Sequence, residues 1–268
     1  MAKTLKTIYA GGQVVRALYD RRSRWDSPTQ RAHKDKKTSE AVQRMNRIYS
    51  FQKLELLLST NFPTAGSGLV VTLTFDDRHM PKNRSQAADK FGDWREKMNK
   101  ARAKQNLPKL VAIWCIEVLT SESGRWHVHA VINNTGDDYD MIRKCWTCGT
   151  DIEIKKLRVD REKNWETLAR YMTKEARDVQ DADCKVGQRG WSSTHNCLRP
   201  EIETIVVDDN YLLEAPQDAV VLLDERKQTA FAGFHVMKWR WNHTAPAPRA
   251  RRIRRPRRLD PPRPRMRL

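Results

Sequence analysis

The sequence predicts an α+β fold, a central antiparallel β-sheet with helices packed on it and basic extensions at both ends, on three observations. Segments of strand and helix periodicity alternate in a definite order between Leu69 and Asp178. The apolar fraction, 39% of 268 residues, is enough for a core, yet the longest uninterrupted apolar stretches, such as Val111 to Ile116, are only strand-length. Charge gathers at the ends. Residues 1–66 carry 13 basic and 5 acidic side chains, and residues 245–268 carry ten Arg and one acid, Asp260. The stretch between holds 28 basic and 27 acidic residues, so the net charge of +18 belongs almost wholly to the two ends. A nearly neutral body with two basic arms is the pattern of a polyanion-binding protein.

The elements follow in order. Lys37 to Ser59 spaces Val42, Met45, Tyr49 and Leu56 as a helix, after a polar and loose Arg21 to Lys37. Pro63, Gly66 and Gly68 mark a boundary. Leu69 to Phe75 is a β-branched and apolar run, and Arg84 to Gln105 is helical, interrupted only by Gly92. Val111 to Leu119 and Trp126 to Asn133 read as two strands around a short loop containing Gly124. Asp137 to Trp146 is a short helix, Asp151 to Val159 a strand, and Arg161 to Asp178 a second strong helix. The order βαββαβ followed by a helix packs as a ferredoxin-like sheet with its helices gathered on one face. Ile205 to Val207, Val220 to Leu223 and Phe231 to Met237 are strand-like and either extend this sheet or make a small subdomain. Six Pro and ten Arg over residues 245–268 make that segment an extended arm. The expected divisions are a basic helical extension over 1–66, a main domain over 67–200, its C-terminal part or a subdomain over 201–244, and a disordered tail over 245–268.

Chemistry enters at Trp126-His127-Val128-His129-Ala130-Val131-Ile132. Strand side chains alternate, so His127, His129 and Val131 share one face while Trp126, Val128, Ala130 and Ile132 form an apolar opposite face. The preceding strand contains a single charged residue, Glu117, in an otherwise apolar run. A buried carboxylate is costly unless it is paired or binds a metal. If the hairpin places Glu117 opposite His127 or His129, all three lie on one face, whereas a slip of one residue turns Glu117 away. Two imidazoles and one carboxylate with positions left open make a divalent-cation site able to accept a phosphate oxygen. Thr72 and Thr74 add a polar stripe to the same face.

In the helix that follows, Trp165, Leu168, Ala169, Met172 and Ala176 form one stripe. Tyr171 falls about 115° from its centre, on the rim, with Lys174 about 60° further round. A helix crossing the polar face of the sheet would bring this phenol to a phosphate, with Lys174 one turn on to offset developing negative charge.

These residues resemble the HUH replication-initiator endonucleases of rolling-circle elements. The resemblance covers roughly Leu69 to Pro200 and rests on Val70-Val71-Thr72-Leu73-Thr74-Phe75, Trp126-His127-Val128-His129 and Tyr171-Met172-Thr173-Lys174-Glu175. Gly187-Gln188-Arg189-Gly190-Trp191-Ser192, followed by Asn196 to Pro200, is similar to replication-associated proteins of small phages and plasmids. The resemblance implies metal ligation by His127, His129 and Glu117, with Mn²⁺ or Mg²⁺ as the cation. It implies attack on the scissile phosphate by Tyr171, assisted by Lys174. One tyrosine at the site places the resemblance with the single-tyrosine class, and no G-x-x-x-x-G-K-[ST] sequence marks a helicase. The implied partners are single-stranded origin DNA and the host's helicase and polymerase. Thr72, Thr74, Arg189 and Trp191 are candidate DNA contacts.

Other readings share some of these features. A one-tyrosine transposase or a relaxase would share the chemistry, and a non-catalytic single-stranded nucleic-acid-binding protein would use its sheet as a stacking platform. That last reading expects exposed aromatics where the alternation puts His127, His129 and Glu117. Cys145-Trp146-Thr147-Cys148 ends a predicted helix, where a redox C-x-x-C would begin one, and would make a structural zinc site only with Cys184, His195 or Cys197. With no secretory signal, no membrane span and five cysteines read as reduced thiols, the expected location is the cytoplasm of a bacterial host.

Overall fold

A computed structural model describes residues 3–20, 40–118, 124–136, 138–158, 165–173, 190–228 and 233–241. They form an α+β structure of two five-stranded antiparallel sheets with four helices among the described residues. No helix among them is long and apolar enough to cross a membrane.

The first sheet contains β3 (Gly68–Thr74), β4 (Ala112–Val118), β5 (Trp126–Asn133), β6 (Ile152–Lys156) and β7 (Trp191–Ser193), in the spatial order β6-β3-β5-β4-β7. Helix α2 (Arg84–Lys104) joins β3 to β4 and α3 (Asp138–Cys145) joins β5 to β6, which is the βαββαβ order read from periodicity. The β3-α2-β4 crossover leaves a gap one strand wide. The returning hairpin strand β5 fills it, antiparallel to both neighbours.

Both faces of this sheet are covered, where the sequence suggested one. Leu69, Val71, Leu73, Ala112, Ile116, Val128, Ala130 and Ile132 face α2 and α3. Along α2, Ala87, Phe91, Trp94 and Met98 form the matching stripe, and Asn83 caps its start by accepting from Gln86 N–H at 3.0 Å. Each large apolar side chain buried here contributes about 1.5–3 kcal/mol. The other face carries Ile113, Cys115 and Val131. Leu54, Leu57, Leu58 and Phe62 of α1 (Glu40–Asn61) and Trp165, Ala169 and Met172 of α4, helical over 166–173, cover it. Helices gather on both sides because alternation in β4 and β5 leaves apolar residues on both faces.

A buried ion pair pins three elements together. Arg102, in the last turn of α2, and Asp138, in the first turn of α3, are both fully buried and meet at 2.7 Å. Arg102 also donates to the side-chain oxygen of Asn133 at 2.7 Å and to its carbonyl at 2.8 Å, at the end of β5.

The second sheet was not foreseen in its N-terminal half. Residues 1–66 were expected to be a helical extension, but β1 (Lys3–Ala10) and β2 (Gln13–Asp20) form a hairpin there. They join β8 (Glu201–Val207), β9 (Ala219–Gln228) and β10 (Gly233–Trp241) in the order β8-β1-β2-β10-β9. The strand-like stretches after residue 201 therefore do not extend the first sheet. The Gly11-Gly12 turn was the available signal for the hairpin. Gly11 is required there, with φ +61° and no room for a Cβ, which would lie 2.2 Å from the Ser59 carbonyl oxygen. Leu5, Val14, Leu18, Met237 and Trp239 form this sheet's core under Leu213. Helix α1 ties the sheets together: Ser59 Oγ donates to the Ala10 carbonyl at 2.7 Å, and Glu55 pairs with buried Lys238.

Candidate active site

The site follows from strand register. On one side of β5, Glu117 lies opposite His127 and Cys115 opposite His129; on the other, Thr74 lies opposite His127 and Thr72 opposite His129. Directly opposed residues of an antiparallel pair point the same way. Thr72, Thr74, Glu117, His127 and His129 thus converge on the face shared with α1 and α4, as the first of the two predicted registers requires.

The acid does not bond the imidazole it faces. Glu117 Oε2 reaches diagonally to His129 Nε2 at 2.7 Å, and that contact compensates for burial of a carboxylate only 6% exposed. Thr72 Oγ1 lies 3.2 Å from His129 Nδ1, and Thr74 Oγ1 lies 3.1 Å from His127 Nδ1. The two rings stack at 6.3 Å between centroids, with planes 17° apart. His127 Nε2 is buried and has no hydrogen-bond partner among the described residues. Burial, followed by the neighbouring His129, pushes the His127 pKa below its ordinary value, against the opposing pull of Glu117 and Asp151. His127 is therefore held in the neutral form that ligates metals.

Tyr171 stands on the rim, as the helical rotation requires. Trp165, Ala169 and Met172 of its helix are buried, whereas Tyr171 is 47% exposed. Its ring meets His129 edge-on, at 5.5 Å between centroids and an interplanar angle of 83°. A partly exposed phenol is thus fixed beside the two imidazoles and the carboxylate.

The end of β3 is braced from beneath. Trp146 Nε1 donates to the Thr74 carbonyl at 3.1 Å, Thr74 N–H donates to the Asp151 carbonyl at 3.1 Å, and Asp76 N–H donates to the Cys148 carbonyl at 2.9 Å. A Cβ on Gly149 would lie 2.2 Å from Thr74 O, so the segment approaches β3 more closely than any other residue would allow. Asp151 is a site neighbour that the sequence reading omitted. The signal for it was its position at the start of the strand that pairs with β3.

The remaining predicted residues fall elsewhere. Lys174 and Arg189 lie outside the described residues. Trp191, in β7, donates its indole N–H to Ser50 Oγ at 3.0 Å and packs beside the α1 and α4 core. Cys197 is buried on that same side, whereas Cys145 and Cys148 pack on the α2 and α3 side and line a cleft of about 180 Å³ with His79 and Lys97. Zinc ligation combining Cys145 and Cys148 with Cys197 is therefore corrected by the fold: the sheet lies between them. His195 is exposed, and Cys184 lies outside the described residues.

The donor set suits a divalent cation. His127 Nε2 is an orphaned buried nitrogen, and imidazole with carboxylate is a ligand combination that Mn²⁺ accepts. Among the described residues no three His, Cys, Asp or Glu side chains are gathered in metal-holding geometry. Glu117 and His129 instead hold each other, so loading requires that bond to open.

Residues 68–176 match a family model of replication-associated proteins, the ORF2 group. The matched segment contains Thr72, Thr74, Glu117, His127, His129, Tyr171 and Lys174, while Arg189 and Trp191 lie beyond it. The match supports a replication-initiator family. No curated protein and no solved structure matches the chain.

Proposed function

We propose that this protein is a replication initiator that nicks and rejoins single-stranded DNA at a rolling-circle origin through a covalent 5′-phosphotyrosine intermediate. The observation that carries the reading is the convergence of Glu117, His127 and His129 on one sheet face, with the half-exposed Tyr171 ring edge-on to His129. A merely structural sheet face has no need of a carboxylate, two imidazoles and a phenol together.

The chain's residues divide the work. His127, His129 and Glu117 would hold a Mn²⁺ or Mg²⁺ ion, which when bound supplies Lewis-acid polarisation of a phosphate oxygen. The exposure of Tyr171 lets its oxygen reach a phosphodiester arriving from solvent, and the edge contact with His129 orients the ring. Tyr171 Oη bonds to phosphorus as the bond to the 3′ oxygen breaks; the freed 3′-hydroxyl primes synthesis, and its return attack rejoins the strand. The phosphoester bond energy is conserved in the phosphotyrosine, so rejoining needs no nucleotide cofactor. Lys174, one turn beyond Tyr171, offsets charge on the phenol oxygen. The basic segments contact phosphates sequence-independently, and a host helicase and polymerase in a bacterial cytoplasm complete the process.

The test is incubation with single-stranded DNA carrying the element's origin region and Mn²⁺. The expected product is a denaturation-resistant protein–DNA adduct, absent with Tyr171→Phe and strongly reduced with His127→Ala. Nicking that survives both substitutions overturns the assignment.

A further inference from the structure

The two threonines opposite the imidazoles have a role that the nuclease reading does not assign. In neutral imidazole one nitrogen carries a proton and the other a lone pair, while a hydroxyl can either donate or accept. The partner of each Nε2 therefore decides what each Nδ1 must do. His129 Nε2 sits 2.7 Å from a Glu117 oxygen, and an ionised carboxylate only accepts, so the His129 proton is on Nε2. Its Nδ1 then accepts from the Thr72 hydroxyl, 3.2 Å away. His127 Nε2 is buried without a partner. A buried N–H with no acceptor is rarer and costlier than an unused lone pair, so the His127 proton is on Nδ1, donated to Thr74 Oγ1 at 3.1 Å.

We propose that Thr72 and Thr74 are positioning residues that hold the two imidazoles in opposite tautomers in the metal-free protein. Thr74 presets His127 with its Nε2 lone pair turned toward the site. Thr72 is a rotor: it donates to His129 while Glu117 occupies Nε2, and accepts from His129 once Nε2 becomes a ligand. The His129 proton moves from Nε2 to Nδ1 and Glu117 stays ionised, so this step changes no net charge. Only a hydroxyl serves both states, which explains a threonine opposite each histidine in the middle of an otherwise apolar strand.

This inference rests on the metal reading for its second half, and the test separates the two. Two-bond ¹⁵N–¹H correlation spectra of the ¹⁵N-labelled full chain at about pH 8, above the ordinary histidine pKa, report which ring nitrogen is protonated. In the metal-free protein, His127 is expected as the Nδ1–H form and His129 as the Nε2–H form. Diamagnetic Zn²⁺ is expected to shift the His129 proton to Nδ1. Thr74→Val should make His127 a tautomer mixture, and Thr72→Val should weaken Zn²⁺ and Mn²⁺ binding about tenfold to a hundredfold. Thr74→Ser and Thr72→Ser should restore the wild-type pattern. Identical tautomers or two doubly protonated rings in the metal-free wild type overturn the proposal, as do unchanged spectra and affinities in both valine variants. Wild-type protein that binds neither cation overturns the rotor and the metal reading together, while its metal-free spectrum still decides the tautomer assignment.

Discussion

Asp138→Ala removes the acceptor around which the end of β5 is organised. In the structure its carboxylate accepts from Arg102 Nε at 3.0 Å and Nη2 at 2.7 Å, and from Thr135 N–H at 2.6 Å and Oγ1 at 2.8 Å. Both members of the ion pair are fully buried, so the substitution strands a guanidinium out of reach of water. Breaking a buried pair from one side costs about 3–5 kcal/mol. Losing the carboxylate that ties the start of α3 adds about 1 kcal/mol. The expected total, about 4–6 kcal/mol, is a large share of the 5–15 kcal/mol that holds a typical domain together. Urea unfolding of the metal-free protein, followed by circular dichroism, measures it. The same experiment on Arg102→Met with Asp138→Leu is expected to recover most of the loss, since an apolar replacement leaves no charge uncompensated. A cost below about 1 kcal/mol for Asp138→Ala, the value of a solvent-exposed pair, would refute the reasoning that this pair pins α2, β5 and α3.

Other perturbations separate stability from chemistry. Glu117→Gln keeps an acceptor for His129 Nε2 and removes a buried charge, so unfolding should change by no more than about 1 kcal/mol while adduct formation with origin DNA falls at least tenfold; undiminished adduct yield would remove Glu117 from the ligand set. His127 has a folded-state pKa below its unfolded value of about 6.5, so the unfolded chain binds more protons in that interval. Stability of the metal-free protein should therefore fall as pH drops through about 6.5 toward the folded pKa and level off below it. Urea titrations at several pH values should show this component absent from His127→Gln. Gly149→Ala places a Cβ against the Thr74 carbonyl and should cost about 1–3 kcal/mol while displacing Thr74 from His127. An unchanged unfolding midpoint would show that the brace under β3 yields freely.

Much of the first sheet was legible because its signals are local. Period-2 alternation put His127 and His129 on one face and made Glu117 conspicuous in an apolar strand, and the 3.6-residue repeat put Tyr171 on the rim of its stripe. Less legible was what depends on partners far along the chain. Residues 3–20 alternate weakly, with Lys3 and Lys6 among their apolar residues, and their strand character is completed by β8 and β10, nearly two hundred residues later. Placing helices on both faces depended likewise on α1 and α4 finding the apolar half of the histidine-bearing face.

The sequence by itself determined the order of elements from Leu69 onward and the side of each strand on which the chemical groups stand, because alternation and helical rotation are properties of the backbone alone. Only the tertiary structure decided that Glu117 faces His127 yet bonds His129, that threonine hydroxyls hold both imidazoles, and that the first and last strands share a sheet. Register and pairing between distant strands are set by the packing of side chains across the whole core, and no local spacing encodes them.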